Sequence, residues 1–390
     1  MKVLAFIGSR ADLFPLGPVL ERLANGPLVE LHIVSAVGFE DGDAEIQLHE
    51  AGLRPGSFLH HSTALHLGQA SPQSQTTLGP MLSAKIADLI LTVKPEALVV
   101  LGDRWELLYV VPPAVLHGLR VIHLHGGEVT EGAMDERVRH AVTKLADQHC
   151  VSTEGAARRV SQLGEPPHRI HQTGAPGLDR LAKPLPLSAQ EFSSAFGRSL
   201  IRPLLLVTYH PETARETGAF GSAARVVYEE SVAAAGTAIL TYPGYDAGRD
   251  EIVQALLKID TGPGSGVIVT ESLGALYPRV LATVDAVVGN SSSGIIEAAS
   301  FAVPVVNVGD RQKGREHGVN VIHSTHDSLR IRSSIEMALS REFKRTCSHI
   351  VNPYGDSMAA ERIETVIASS GAASLAKSFI DISAGESNHE

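Results

Sequence analysis

The stretch VVGNSSSGIIEAASFAVPVV, residues 287–306, passes from a short apolar run into three serines and a glycine, and then into a helical pattern. A second apolar run, Pro304-Val305-Val306, follows directly. Apolar runs on either side of a helix predict two parallel strands that are covered on both faces. The stretch therefore predicts one step of a doubly wound α/β sheet.

The same alternation of apolar runs and Ala- and Leu-rich helical stretches continues along most of the chain. The pattern occurs twice, which predicts two α/β domains, each built on a parallel sheet. The predicted strands are KVLAFIG, LVELHIVSA, ALVVLGD, RVIHLHGG and QHCVST in the first set, and LLLVTYH, TAILTYP, GVIVTES, DAVVGNSS and PVVNVGD in the second.

The length of 390 residues also suits two domains. A Pro- and Gly-rich segment, RIHQTGAPGLDRLAKPLPLSAQEF, separates the two sets and is the best candidate for the crossover between them. The predicted organisation is a first domain over residues 1–175, a second over 176–355, a helical segment over 356–375 that packs back on the first domain, and a frayed tail over 376–390.

Charge and cysteine content exclude several classes of protein. The net charge of −10 and the pI of about 6.0 argue against a nucleic-acid partner, which needs clustered Lys and Arg. Cys150 and Cys347 give no disulfide framework, and the N-terminus lacks the pattern of a signal peptide. No run approaches the roughly 18 apolar residues of a membrane span. We expect a soluble, cytoplasmic protein that binds neither nucleic acid nor membranes.

Polar motifs follow the predicted strands directly, where ligands bind in such folds. One such motif alone is more often a helix cap than a site, but the repetition favours function. The motifs are GSRAD (8–12), GDRWE (102–106), HGGE (125–128), YHPET (209–213) and GNSSSG (289–294).

The serine motif predicts an anion site. Ser291, Ser292, Ser293 and Gly294 stand where a helix begins, so backbone N–H groups and hydroxyls can bind a phosphate. Glu297, one turn on, can accept from the hydroxyls of a ribose. Together they indicate a nucleoside diphosphate; the alternative is a simple serine N-cap. Neither a P-loop nor a GxGxxG motif is present.

The first domain collects candidates for proton transfer. Its carboxylates can repel one another so that one pKa moves towards neutrality. Asp135 and Glu136 have an alternative role as ordinary helix-start residues. The candidates are Asp103, Glu128, Asp135 and Glu136 as acids, with Arg104 and His125 among them and Arg10 as a cation for phosphate.

The histidines give no metal pattern, so no metal is expected. His123 and His125 alternate, which predicts two imidazoles on one face of a strand. LHHSTALH at 59–66 is interpreted as a solvated loop. His210, after a strand, can act as a protonated or hydrogen-bonding group towards a leaving diphosphate.

The motifs GSRAD, LGDR, HLHGGE, MDERVRHAVTKLAD, YHPET, GNSSSGIIE and GDRQKGR, in this order, resemble the hydrolysing UDP-N-acetylglucosamine 2-epimerases of sialic-acid biosynthesis. The resemblance covers roughly residues 1–365. It implies the GT-B fold, two Rossmann-like domains with a central cleft that holds the active site. It also implies elimination of UDP to a 2-acetamidoglucal, addition of water to give N-acetylmannosamine, no cofactor, and a homodimer or homotetramer.

The resemblance also assigns roles by position. Arg10, Ser292, Ser293 and Gly294 would bind the diphosphate and Glu297 the ribose. The roles that concern the sugar and the leaving group are proton transfer for Asp103 and Asp135, a place near the leaving group for His210, and closure over the substrate for Arg311.

Two positions depart from the family. Some members read H-x-E-G-G-E, with the first acid taken as catalytic, whereas this chain has His125 there and keeps only Glu128. In YPGYDAG, Gly244 stands where relatives usually carry Asn, so that a hydrogen bond is expected to be lost.

Three alternatives stay open: a hydrolysing epimerase of a UDP-2,4-diacetamido-trideoxyhexose in the legionaminic-acid pathway, which VTEGAMDE and GAPGLD resemble equally well, a GT-B glycosyltransferase, and a nucleotide-sugar-binding regulator without catalysis.

Overall fold

The computed structural model describes residues 1–39, 43–66, 71–130, 134–181, 184–212, 220–244, 248–372, 376–378 and 380–381. The chain divides into two compact units. The first contains Met1–Val129, Met134–Arg180 and Tyr354–Glu390, and the second contains Thr130–Ala133 and Leu181–Pro353. The sequence analysis had placed the boundary between domains near residue 175.

The described part of the first unit has a seven-stranded sheet in which all neighbouring strands are parallel. The strand order is β3-β2-β1-β4-β5-β6-β7. The strands are β1 (Lys2–Ser9), β2 (Glu30–Gly38), β3 (Leu59–Ser62), β4 (Ala97–Leu101), β5 (Arg120–Leu124), β6 (Gln148–Val151) and β7 (Ile170–Gln172). The helices are α1 (Arg10–Asn25), α2 (Asp43–Glu50), α3 (Pro72–Val93), α4 (Leu107–Leu116), α5 (Asp135–Leu145), α6 (Glu154–Gln162) and, from the end of the chain, α14 (Ala359–Ser369).

Alternate residues of β1 belong to different hydrophobic clusters, so helices cover both faces of the first sheet. Val3 and Ile7 pack with α1 and α14 on one face, and Leu4 and Phe6 pack with α3 and α4 on the other. This is why the strand is apolar throughout. The predicted doubly wound architecture is confirmed for this unit.

The described part of the second unit has a six-stranded parallel sheet in the order β10-β9-β8-β11-β12-β13. The strands are β8 (Leu204–Thr208), β9 (Thr237–Thr241), β10 (Val267–Thr270), β11 (Ala286–Gly289), β12 (Val305–Val308) and β13 (Val321–Ser324). The helices are α7 (Ala189–Phe196), α8 (Phe220–Ala234), α9 (Arg249–Leu256), α10 (Tyr277–Leu281), α11 (Ser292–Ile296), α12 (Ser328–Leu339) and α13 (Arg341–Cys347). The two-domain α/β fold class is therefore confirmed.

Each sheet has a point where the order of its strands reverses. In the first sheet the chain runs outward from β1 to β3 and then returns to add β4 beside β1; in the second, β11 is added beside β8 in the same way. Loops at such a point diverge from one another and leave a crevice at the carboxyl ends of the two strands. The described residues of the motifs at 8–12, 102–106, 209–213 and 289–294 lie at these two points.

The interpretation of residues 59–66 as a solvated loop is wrong in its first half. Leu59–Ser62 forms the edge strand β3, paired in parallel with β2. The half-buried His60 and His61 bond to the neighbouring strand, through Ser35 Oγ at 2.8 Å and His32 Nδ1 at 2.9 Å. The sequence did not reveal this strand because an edge strand of polar residues carries no apolar run.

Among the described residues, one helical stretch, Gln73–Val93, is long and apolar enough to cross a membrane by length and composition alone. It belongs to α3, whose Leu82, Ile86 and Ile90 pack in the core of the first unit. Its outer face carries the exposed Lys85 and Asp88. The stretch therefore has the two-sided character of a helix lying on a sheet.

Candidate functional site

The charged residues predicted in the first unit gather at the carboxyl ends of β4 and β5. Asp103 and Arg104 follow β4, and His125 and Glu128 follow β5. Asp135 and Glu136 begin α5, and Arg10 begins α1. Contacts connect most of these side chains into one cluster. The residue that makes these connections is not among the predicted site residues.

That residue is Arg139, one turn into α5 and only 1% exposed. Its guanidinium donates to Asp103 Oδ2 and, at 2.5 Å, to Glu136 Oε2. It also donates to the carbonyl oxygen of Glu128 at 2.7 Å. One buried cation thus joins the loops after β4 and β5 to the start of α5. The sequence signal was the spacing of Glu136 and Arg139, which places an acid and a base on the same helix face.

His125 and Glu128 form a pair within one loop. His125 Nδ1 lies 2.5 Å from Glu128 Oε1, and the hydroxyl of Ser152 donates to the same oxygen at 2.7 Å. The expectation that His123 and His125 share a strand face is wrong, since β5 ends at Leu124 and His125 has φ +62°. His123 is fully buried, bonds Gly102 O at 2.8 Å, and has a pKa lowered to about 3 by burial.

Arg104 forms an ion pair with a buried acid and a hydrogen bond with a serine. Its Nη2 donates to the fully buried Glu106 at 2.8 Å, and its Nη1 donates to Ser9 Oγ at 2.9 Å. Asp12 accepts from the N–H groups of Gly8 and Ser9, which fixes the start of α1. Burial raises the pKa of Asp12, while Arg104 opposes the rise. Glu106 was quoted within a motif but not selected as a candidate.

Asp135 and Arg10 stand outside the ion pairs. Asp135 is half-buried, and burial together with the charge of Asp103 raises the pKa of its carboxyl. A carboxyl with a raised pKa holds a proton at higher pH and can deliver it. Arg10 is exposed, and no partner for its guanidinium lies among the described residues.

In the second unit, Asn290 ties together the loops that follow β8 and β11. Its Oδ1 accepts from the N–H of His210 at 2.7 Å and its Nδ2 donates to the carbonyl oxygen of His210 at 2.9 Å. The carbonyl oxygen of Asn290 accepts from Arg311 at 3.2 Å and from Gln312 at 2.9 Å. The structure therefore brings His210 and Arg311 to the serine loop, with Asn290 and Gln312 as residues that the sequence analysis did not select.

The two roles left open for the His210 imidazole are separated by its surroundings. Burial, with a smaller contribution from Arg311, lowers the pKa of His210 to about 3, so the ring is neutral near pH 7. Its Nδ1 accepts from the N–H of Gly244 at 3.0 Å, which leaves the ring proton on Nε2. His210 can thus donate one neutral hydrogen bond. Gly244 supplies a backbone bond, and Tyr245–Ala247 of the same motif lie outside the described residues, as do Thr213 of YHPET and residues 131–133 of VTEGAMDE.

The serine loop begins a shorter helix than the sequence predicts. α11 runs only over Ser292–Ile296 and passes into a 3₁₀ turn at Ala298–Phe301. Ser291 is its N-cap and accepts from the N–H of Ser293 at 3.4 Å. A single turn has little dipole, so anion binding here depends on the N–H groups and hydroxyls themselves. The hydroxyl of Ser292 has no partner among the described residues.

Glu297 ends this helix and is 9% exposed. Burial raises the pKa of its carboxyl to about 7, and a hydrogen bond with Tyr277 partly offsets the rise. Its Oε2 is buried and has no hydrogen-bond partner within the described residues. An unpaired buried carboxylate oxygen is costly, and a hydroxyl donor from a ligand would remove that cost.

The chain has relatives among known proteins. A sequence model described as UDP-N-acetylglucosamine 2-epimerase matches residues 48–368. The chain belongs to this family. It is 31% identical over 371 residues to a UDP-N,N'-diacetylbacillosamine 2-epimerase (hydrolyzing) of Legionella pneumophila, covering 93% of this chain and 94% of the relative. It is 30% identical over 341 residues to a UDP-N-acetylglucosamine 2-epimerase of Neisseria meningitidis, covering 87% and 88%.

A solved structure of the family has the same fold. The crystal structure of UDP-GlcNAc 2-epimerase from Neisseria meningitidis bound to UDP-GlcNAc aligns with a TM-score of 0.75 at 17% identity, covering 94% of this chain and 99% of that one. The predicted resemblance is thus confirmed at the level of family and GT-B-like fold.

One further ionic cluster in this family member lies away from these loops. Glu165, whose side chain is fully buried, accepts from Lys144 at 2.6 Å and Lys377 at 2.8 Å and contacts His149 at 3.1 Å. Lys377 also donates to carbonyl oxygens at the end of α5, including that of Ala146 at 2.6 Å. Within the described residues no group of His, Cys, Asp and Glu has the arrangement of a metal site.

Proposed function

We propose that this protein is a hydrolysing 2-epimerase of a UDP-linked 2-acetamido sugar, and that UDP-N-acetylglucosamine is its substrate. The observation that carries the proposal is the charged cluster of the first unit, where Arg139 joins Asp103 and Glu136 beside Asp135. Epimerisation at C2 needs a proton removed from one face and returned to the other, and this cluster supplies groups for both transfers.

The reaction has two balanced steps. In the first, the C2–H bond breaks to a base, its electron pair forms a C1–C2 double bond, and the C1–O bond breaks to release UDP. In the second, an acid delivers a proton to C2 of the 2-acetamidoglucal, the hydroxyl of a water molecule bonds to C1, and the proton that the water loses passes to a base, giving N-acetylmannosamine. A low-dielectric setting strengthens the stabilisation of charge in both steps.

Residues of the second unit are proposed to bind the nucleotide. The N–H groups and hydroxyls of Ser292 and Ser293, with close approach allowed by Gly294, suit a diphosphate. Glu297 Oε2 suits a ribose hydroxyl. His210 would donate from Nε2 to the leaving diphosphate, and Arg311 would add positive charge. Arg10 of the first unit is proposed as a further cation for the diphosphate.

A second candidate substrate is a UDP-2,4-diacetamido sugar. The relatives from Legionella pneumophila and Campylobacter jejuni are named as hydrolysing epimerases of nucleotide-linked N,N'-diacetylbacillosamine, the second at 31% identity over 260 residues. The hydrolysing assignment draws support from the same two names. We also propose that the protein acts as a homodimer or homotetramer in the cytoplasm, a reducing compartment that suits the free, buried Cys150 and Cys347.

The test is proton and phosphorus NMR of the purified protein with each UDP-sugar in D2O. Free UDP and a C2-deuterated N-acetylmannosamine from UDP-N-acetylglucosamine are the expected products. UDP-N-acetylmannosamine without free UDP would show a non-hydrolysing enzyme. Turnover of the diacetamido substrate alone would move the assignment to that sugar, and binding without turnover of either would overturn catalysis.

A further inference from the structure

The pair of His125 and Glu128 stands where the family resemblance leads one to expect a catalytic acid. The position of His125 is fixed by one backbone contact and one side-chain contact. The N–H of His125 donates to Cys150 O at 3.0 Å, at the end of the neighbouring strand β6, and its Nδ1 lies 2.5 Å from Glu128 Oε1. The positive φ of His125 turns its side chain out of the alternation of β5.

Glu128 is itself held in place by several elements. The Ser152 hydroxyl donates to its Oε1, and Arg139 of α5 donates to its carbonyl oxygen. Arg159 of α6 donates to the carbonyl oxygen of the preceding Gly127 at 3.1 Å. The side chain of Glu128 is 11% exposed, so its carboxylate is largely shielded from water. Such a carboxylate selects the ring tautomer that carries its proton on Nδ1.

That tautomer leaves the Nε2 lone pair free. Nε2 of His125 is buried and has no hydrogen-bond partner among the described residues. The other groups of this cluster are engaged differently, since Asp103 and Glu136 bond Arg139 and His123 bonds a backbone carbonyl oxygen. An oriented imidazole with a free nitrogen, backed by a carboxylate, is the arrangement of a general base.

We infer that His125 is the base that takes the C2 proton, with Glu128 as its positioning residue, in place of the acid that the family resemblance implies at this position. This inference rests on the proposed function. The proton moves from C2 to Nε2 as the C1–O bond to UDP breaks, and the Glu128 carboxylate stabilises the imidazolium that forms. Asp135 then delivers its proton to C2 from the opposite face, the hydroxyl of a water molecule bonds to C1, and the proton that this water loses restores Asp135. His125 releases the proton that it took to solvent.

The decisive comparison uses His125→Gln, with the exposed His168→Gln as the matched control. We expect His125→Gln to lower kcat by about 10²- to 10⁴-fold and to slow deuterium incorporation at C2 by the same factor, while KM changes little. His168→Gln should match the wild type. Thermal melting of each variant separates loss of folding from loss of chemistry.

A second variant tests whether His125 has only a structural role. His125→Gly tolerates φ +62° without strain, and added imidazole should restore part of its turnover. Near-normal kcat in His125→Gln, or a His125→Gly variant that does not respond to imidazole, would overturn the inference while leaving the proposed function standing. If the wild type neither releases UDP nor exchanges C2, the proposed function itself fails.

Discussion

The two strand-order reversals carry opposite kinds of chemistry. The loops beside β1 and β4 in the first unit hold ionised side chains, with Arg139 paired to Asp103 and Glu136. The loops beside β8 and β11 in the second unit present hydroxyls, an amide and the neutral His210. We propose that the same topology serves proton transfer in one unit and the binding of an anion in the other. We expect substitutions in the first unit to change kcat and those in the second to change affinity for UDP.

The largest expected effect is on turnover. Asp103→Asn removes the charge paired with Arg139 and one group of the proton-transfer cluster, so kcat should fall by about 10²- to 10⁴-fold while the Kd of UDP changes little. UDP release by NMR gives kcat, and calorimetry gives Kd. Asp250→Asn, at a fully exposed carboxylate, is the control. Normal turnover in Asp103→Asn would remove this residue from the chemistry.

The next effect is on stability. Arg139→Met leaves two carboxylates without their cation, and we expect it to lower the free energy of unfolding by about 2–3 kcal/mol, less than for a fully buried pair because both acids are about a quarter exposed. Urea unfolding measures the change. Arg158→Met, which breaks a surface pair with Glu154, should cost less than about 1 kcal/mol. Equal losses in the two variants would contradict the distinction.

We expect Glu297 to make the free energy of unfolding depend on pH. The pKa of its carboxyl is about 7 in the folded protein against 4.5 ordinarily, so the folded state binds the extra proton between these pH values. Its contribution to stability is present below about pH 4.5 and is lost as the pH rises to about 7. Glu297→Gln should therefore raise the free energy of unfolding, measured against the wild type at the same pH, by on the order of 2–3 kcal/mol more at pH 8 than at pH 4.5. Urea unfolding at both values tests this, with the exposed Glu271→Gln as the control.

The smallest effect concerns the serine loop. Ser292→Ala removes a hydroxyl without a partner in the described structure, so we expect it to weaken UDP binding by about fivefold, near 1 kcal/mol, and to leave the free energy of unfolding unchanged. Ser291→Ala removes the N-cap of α11 and should instead cost about 1 kcal/mol of stability. Ser333→Ala, on an exposed face of α12, is the control for both measurements. Equal effects of Ser291→Ala and Ser292→Ala on UDP binding and on the free energy of unfolding would contradict the separate roles assigned to the two serines.

The sequence predicted the sheets and the strand ends well because buried parallel strands are apolar throughout. It predicted less of the contacts. Nothing in the chain indicates that Arg139 is buried, because its partners lie on loops that meet only after folding. Nothing indicates that His125 pairs with Glu128 either, because their contact depends on the conformation of a loop in which His125 has φ +62°. The strand at Leu59–Ser62 was missed since its histidines satisfy their polarity against β2. The short α11 was also missed, because helical periodicity does not distinguish an α-helical turn from the 3₁₀ turn that follows it.

The two hydrogen bonds between the Asn290 side chain and the His210 backbone restrict which residues position 290 of the GNSSSG motif can hold. The amide must donate and accept at once, as a base does in a nucleic-acid pair. Aspartate keeps the acceptor but loses the donor, and leucine loses both. The residue in the motif with the most polar side chain is therefore constrained by its neighbouring loop rather than by a ligand, and a change of substrate can leave it untouched while the serines beside it vary.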